Sequence, residues 1–280
     1  MTPPQRTPRP ISSSLISSSL TCSLLLALPL ALLGCQGLEM RPGAKSIFAA
    51  VQPPSPTEAA DMALDQEDPD RRFKGLQLLA NASFGGDELY MELYLDSLDD
   101  TDAGVRWAAI AAIGRHGGPE HVPAILPGMT DPDVLVRSAT TRALQRIHNP
   151  VAIDPLLRAM QLDYEPEDSI RAQSADALGQ YASTRVLQGL VAVLDDSSLA
   201  VNRSTISSLE TLTGQNFGLD RRAWLDWMRA HNADVFAARS PYVFPTFHRE
   251  RKLVEYLPLI APPPNESANT PAGMPPLIGG

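Results

Sequence analysis

Apolar residues along the middle of the chain fall into two alternating stripes. The first is keyed to an arginine that returns at Arg72, Arg106, Arg137 and Arg171, with Asn202 in the last copy, at spacings of 34, 31, 34 and 31 residues. The residue before it is Arg71, Val105, Val136, Ile170 or Val201. Six and seven residues after it come Leu78-Leu79, Ala112-Ile113, Ala143-Leu144, Ala177-Leu178 and Ser208-Leu209. These offsets place the apolar positions on one side of a helix. Four residues before the arginine stand Asp68, Asp102, Asp133, Glu167 and Ser198. All but Glu167 are good N-caps, and Asp168 is the alternative cap in that copy. Gly114 and Gly179 mark expected helix ends, as residues able to take the left-handed conformation.

The second stripe lies between these helices, as Val122, Ile125, Leu126, Met129, then Ile153, Leu156, Leu157, Met160, then Leu187, Leu190, Val191, Leu194. Each set follows the i, i+3, i+4, i+7 spacing of an amphipathic helix. Pro155, and either Pro119 or Pro123, sit where a helix start tolerates a missing N–H. Each unit therefore reads as a pair of antiparallel helices that cannot bury its stripe alone, and a period near thirty predicts that the pairs stack into a solenoid. The expected fold is all-α: about five helical hairpins over residues 58–213, then a capping segment and helix over 214–238. Asp220 starts that last helix, and Trp224, Trp227 and Met228 share one face of it as a hydrophobic lid. Tyr242, Phe244 and Phe247 are candidates to extend the lid.

An acid six residues before the arginine of a Val-Arg pair, followed by Ala-Leu-Gly, is similar to bacterial HEAT repeats, including those related to phycobilisome lyases. The resemblance implies a ladder in which the acid six residues before each arginine pairs with an arginine of the adjacent repeat. Here the acid positions are Gln66, Asp100, Asp131, Glu165 and Asp196, so the implied ladder is Asp100, Arg106, Asp131, Arg137, Glu165 and Arg171. Gln66 and Asn202 depart from the pattern in the first and last units, as terminal repeats of a solenoid do.

The N-terminus changes the picture from a fold to a location. Arg6 and Arg9 precede a Ser-rich stretch and an apolar run over residues 24–33, the layout of an export signal and too short for a comfortable bilayer span. The run ends in Leu32-Leu33-Gly34-Cys35, which resembles a bacterial lipobox and implies cleavage after residue 34 and lipidation of Cys35. An ordinary signal or an uncleaved anchor is the alternative. Cys22 lies inside the signal, so a mature chain starting at Cys35 has no disulfide to form. Gln36 follows Cys35, where retention favours Asp, and points toward an outer membrane; the exported side of the inner membrane stays open. Residues 35–57, with Pro53, Pro54 and Pro56, read as a flexible tether, and residues 239–280 as a Pro-rich irregular tail.

Net charge is −9, and removal of residues 1–34 takes away two arginines and no acids. That acidity argues against nucleic acid as a partner, since phosphate contacts need Lys and Arg. It serves solubility, or else a cationic partner. His116, His121, His148, His231 and His248 are scattered, without the paired His-Glu motifs of HEAT-fold hydroxylases that bind two irons. No metal, cofactor or catalytic set is expected, and the chain reads as not being an enzyme. The remaining candidate is the solenoid surface, an elongated groove expected along the second helices. Exposed positions one and five residues after the arginine supply Trp107, Arg142 and Asp176 as partner-binding residues; packing of Trp107 on the adjacent repeat is the competing reading. Together these features predict a membrane-anchored scaffold at the bacterial cell envelope that binds another envelope protein or peptide. An accessory or lyase-like subunit of an enzyme complex, and a purely structural envelope linker, are the alternatives.

Overall fold

The computed structural model describes residues 54–245 and 268–276, all within one compact unit. The stretch read as an export signal, Cys35 and most of the stretch read as a tether lie outside the described residues, as do Phe247 and His248. Among the described residues there are eleven α-helices, ten of which alternate between two layers. The first layer holds α2 (Pro69–Asn81), α4 (Ala103–His116), α6 (Val134–Arg146), α8 (Asp168–Leu178) and α10 (Leu199–Thr213). The second holds α3 (Glu88–Asp96), α5 (Val122–Ile125), α7 (Ile153–Ala159), α9 (Thr184–Ala192) and α11 (Arg221–Ala230). A leading helix, α1 (Pro56–Ala63), packs on α2. It begins inside the stretch read as tether, because Ser55 and Glu58 form a reciprocal capping box with Pro56 in the first turn. Five helical hairpins follow in an α-solenoid, with α11 closing the end of the second layer. The described residues contain no strand, only two isolated bridges.

The first-layer helices start where their acids cap them. Asp68, Asp102 and Asp133 each accept hydrogen bonds from two backbone N–H groups of the next turn, at 2.8–3.4 Å. In the last two copies the side chains behave differently from the sequence reading. Glu167 and Ser198 stand at the N-cap positions of α8 and α10 without capping, and the Ser198 hydroxyl instead donates to Asp168 Oδ2 at 2.9 Å, tying two repeats.

The two glycines read as helix stops serve another purpose. Gly114 is buried inside α4, which continues to His116, and a Cβ built on it would lie 2.9 Å from Ala143 Cβ of α6. Gly179 does follow α8, but with right-handed backbone angles, and its missing Cβ makes room for Ser208 of α10. Both let neighbouring first-layer helices approach closely. The left-handed stop is at Gly214, φ 69°, after α10.

The second stripe of the second hairpin is not a continuous helix. Pro123 and Pro127 each lack an N–H, and the segment breaks into a single α turn, α5, followed by a tighter turn over Leu126–Thr130. Val122, Ile125 and Met129 are still buried, so the apolar spacing survives where the hydrogen bonding does not. At the far end Trp224 is fully buried, its Nε1 donating to Gly218 O at 3.0 Å and its ring edge-on to Phe217 at 4.9 Å. Arg221 fixes the start of α11 by donating to the carbonyls of Ala192 and Leu194 at the end of α9.

Candidate functional site

At one edge of the solenoid, arginines and acids of successive hairpins meet. Arg72 Nε and Nη2 donate to the Asp100 carboxylate at 2.7 and 2.9 Å, Arg106 to Asp131 at 2.8 and 2.9 Å, and Arg137 to Glu165 at 2.8 and 3.1 Å. Arg171 reaches Asp196 at 3.3 Å through both nitrogens. The third nitrogen of each arginine donates to a carbonyl of its own leading turn, as Arg106 does to Asp100 O at 2.7 Å. The acids turn back as well, each accepting from the backbone N–H two residues on. Asn202, with no further repeat to reach, keeps only the carbonyl bond, to Asp196 O at 2.8 Å.

This arrangement leaves the charged groups satisfied and committed. Burial opposes ionisation of Asp100, Asp131 and Asp196, but the arginine and backbone N–H bonds and the arginine charges outweigh it and hold their carboxyls below the usual range. Such groups tie repeat to repeat and do not act as acids or bases near neutrality.

The exposed face lies elsewhere. The first-layer helices pack side by side along their lengths, while the shorter second-layer helices approach one another only locally. On the first-layer helices, the positions one and five residues after the arginines share one face.

Trp107 stands on that face between two depressions. One, of about 210 Å³, is shared with Gln77 and Asn81 of α2 and with Arg115. The other, about 470 Å³, lies between α4 and α6 and is lined by Trp107, Arg115, Leu135, Ser138, Arg142 and Arg146 among others. Leu135, 63% exposed, and Arg142 present themselves to solvent. The Trp107 ring is half-buried and tilted against Phe73 of α2, with centroids 5.9 Å apart. Phe73 holds the same position in the preceding repeat, so the two readings of Trp107 coexist: it packs on its neighbour and still offers an edge. Its partner Phe73 was legible from that shared position.

Asp176 is placed on the same face, one hairpin beyond Arg142, but its carboxylate is taken by the chain itself. It accepts from Tyr242 Oη at 2.7 Å and Gln145 Nε2 at 2.9 Å, and its burial pushes its pKa up against the effect of those two bonds. Neither Tyr242 nor Gln145 stands out in the sequence as a partner of Asp176.

The described histidines have local roles. His116 Nε2 lies 2.7 Å from Ala80 O of the preceding hairpin, and His148 stacks on Tyr181 at 4.8 Å with Nδ1 3.1 Å from Gln180 Oε1. Burial lowers the pKa of His148 despite the Gln180 bond. Among the described residues no group of three or more His, Cys, Asp or Glu is placed to hold a metal ion. No helix among them is long and apolar enough to cross a membrane.

Residues 91–167 match the family model of HEAT repeats. The chain is also similar to the deoxyhypusine hydroxylase of Candida albicans (strain SC5314 / ATCC MYA-2876), at 27% identity over 128 residues, covering 45% of this chain and 40% of that protein. The chain thus spans less than half the length of that relative. This relative is an enzyme, and the expectation that the chain is not one is overturned by it. Solved structures with some likeness are designed armadillo repeat proteins. YIII(Dq)4CqI matches with 17% identity and a TM-score of 0.46, and YIII(Dq.V1)4CPAF in complex with peptide (KR)4 with 16% and 0.46, each covering 65% of this chain and 95% of the other.

Proposed function

We propose that this chain is a membrane-anchored scaffold of HEAT-type repeats at the bacterial cell envelope, whose face along the arginine-bearing helices docks another envelope protein or an extended peptide. The observation that carries the docking reading is Trp107, half-buried on Phe73 and flanked by two depressions lined by arginines and small residues. Rigid aromatic and arginine side chains around a recess are the composition of binding hot spots. The repeats supply a stiff, elongated support, since each hairpin is tied to the next by a forked ion pair. The anchor rests on the sequence alone, through the lipobox that ends at Cys35, and places the protein on the exported side of the inner membrane or at the outer membrane. Net charge argues against nucleic acid as the partner.

Affinity capture from cells with wild-type and Trp107→Ala/Arg142→Ala baits tests the docking face. The account expects a partner recovered by the wild type and depleted about tenfold with the variant, the effect of losing one central anchor; equal recovery removes this face. A labelled fatty acid should mark the wild type and not Cys35→Ala, and an unmarked wild type refutes the anchor.

The similarity to a hydroxylase favours a second reading, in which the scaffold serves as an accessory or lyase-like subunit of an enzyme complex. A metal or chromophore that copurifies in stoichiometric amount with the captured partner supports this reading, and its absence from the active complex rejects it.

A further inference from the structure

The face that carries Asp176 is already crossed by a length of this chain. Ser240 N–H donates to Thr211 O of α10 at 2.8 Å, Tyr242 Oη to Asp176 Oδ2 of α8 at 2.7 Å, and the Phe244 ring lies 5.7 Å from the Arg146 guanidinium carbon of α6. The segment thus passes α10, α8 and α6 in turn, against the chain order of the repeats. Its side chains alternate. Tyr242 is 4% exposed and Phe244 half-buried, while Pro241, Val243 and Pro245 face solvent. A period of two is that of extended backbone read from one side, the way a groove reads a bound peptide. Pro241 and Pro245 favour such a conformation and have no N–H to satisfy.

The site that receives Tyr242 is built by two hairpins. Gln145 of α6 donates to the Asp176 carboxylate at 2.9 Å and to Gln173 O at 3.3 Å, which aims the carboxylate as a preset acceptor for a phenol. A second passage of the chain holds the other end in place. Phe244 N–H donates to Asn269 O at 3.1 Å, and Ala272 accepts from His148 N–H and donates to Arg146 O at 2.8 and 2.7 Å.

We propose that the face of α6, α8 and α10 that carries Asp176 is a binding site for an extended peptide with aromatic side chains at every second position. Residues 240–245 occupy it in cis, and a partner segment of the same chemistry competes for it. This rests on the reading of the arginine-bearing helices as the docking surface and extends it from the Trp107 depressions to the next two repeats. A tethered ligand acts at an effective concentration of about millimolar. The cis segment therefore masks the site from weaker competitors and yields to stronger ones.

The test uses the full chain and a fluorescein-labelled synthetic peptide with the sequence of residues 240–245, followed by anisotropy. Tyr242→Ala/Phe244→Ala, which releases the cis segment, should bind the peptide at least about tenfold more tightly than the wild type does. A peptide with Ala at both aromatic positions should not bind, and adding Asp176→Ala to the double variant should abolish binding. Equal affinity for wild type and double variant, or for aromatic and Ala peptides, overturns the proposal. If the double variant does not fold, hydrogen exchange on the wild type decides: excess unlabelled peptide should speed exchange at the Ser240 and Phe244 amides, and unchanged protection rejects a displaceable segment. Trp107 lies outside this footprint. Partner loss on Trp107→Ala without peptide binding here overturns the cis-ligand claim alone, whereas peptide binding without partner loss overturns the Trp107 reading alone.

Discussion

Glu165→Ala lowers the stability of the solenoid by about 3–5 kcal/mol, as removal of one member of a buried ion pair does. Glu165 is 3% exposed and accepts three hydrogen bonds, two from Arg137 and one from the Glu167 N–H. Its loss leaves the Arg137 fork facing a cavity between the third and fourth hairpins, with only the Asp131 and Pro132 carbonyls still bonded. Because stability in a stack of repeats resides in repeat-to-repeat interfaces, the damage falls on one interface. Urea unfolding followed by circular dichroism should then show a broadened or split transition. Arg137→Met/Glu165→Leu should recover much of the loss, since an apolar pair of similar volume often matches a buried ion pair. A single variant within about 0.5 kcal/mol of the wild type, the size of an ordinary surface substitution, would contradict the picture.

The same ladder sets the acid limit of the fold. Asp100, Asp131 and Asp196 have folded pKa values below the unfolded one, so their contribution is fully present above about pH 4 and is lost as pH falls through the folded values. Asp176 acts with the opposite sign, because its raised pKa means that protonation above about pH 4 favours the folded state. Stability should hold from neutrality to about pH 4 and fall steeply below it.

Trp224→Ala costs about 3–5 kcal/mol, the range for truncating a large buried aromatic side chain. The indole has no exposed surface, packs edge-on against Phe217, and donates its N–H to Gly218 O. Truncation opens a cavity under α11 and leaves the Gly218 carbonyl without that donor. Since α11 closes the second layer after α9, the loss is confined to the C-terminal end. Hydrogen exchange should show lost protection in α10 and α11 and unchanged protection in α4. Uniform loss along the chain would mean that α11 is not a local lid.

The repeat was legible in the sequence because each hairpin repeats the same local chemistry. An acid that caps, an arginine that forks onto the next hairpin and an apolar pair two turns later must recur at fixed offsets, and Arg72 to Asn202 display that recurrence. What depends on distance between repeats was not legible. Gly114 carries the signature of a helix stop yet lies inside α4, where Ala143 of the next helix approaches, and Gly179, which does end α8, also makes room for Ser208. Pro123 and Pro127 break a helix whose apolar spacing is intact.

The candidate site was legible only in part. Trp107 stood out by size, and Phe73 could have been paired with it from the shared repeat position. Tyr242 lies 66 residues from Asp176, and only the Pro-Tyr-Val-Phe-Pro alternation at 241–245 hints at an extended segment with one buried side.

The docking claim is tested most directly by site-specific photo-crosslinking in cells. A photoreactive amino acid at Ser138 lies in the depression between α4 and α6, and one at Leu162, which is exposed after α7, reports the second layer. The account predicts a discrete crosslinked partner from Ser138 that disappears with Trp107→Ala, and none from Leu162. A partner crosslinked from Leu162 and not from Ser138 would contradict it.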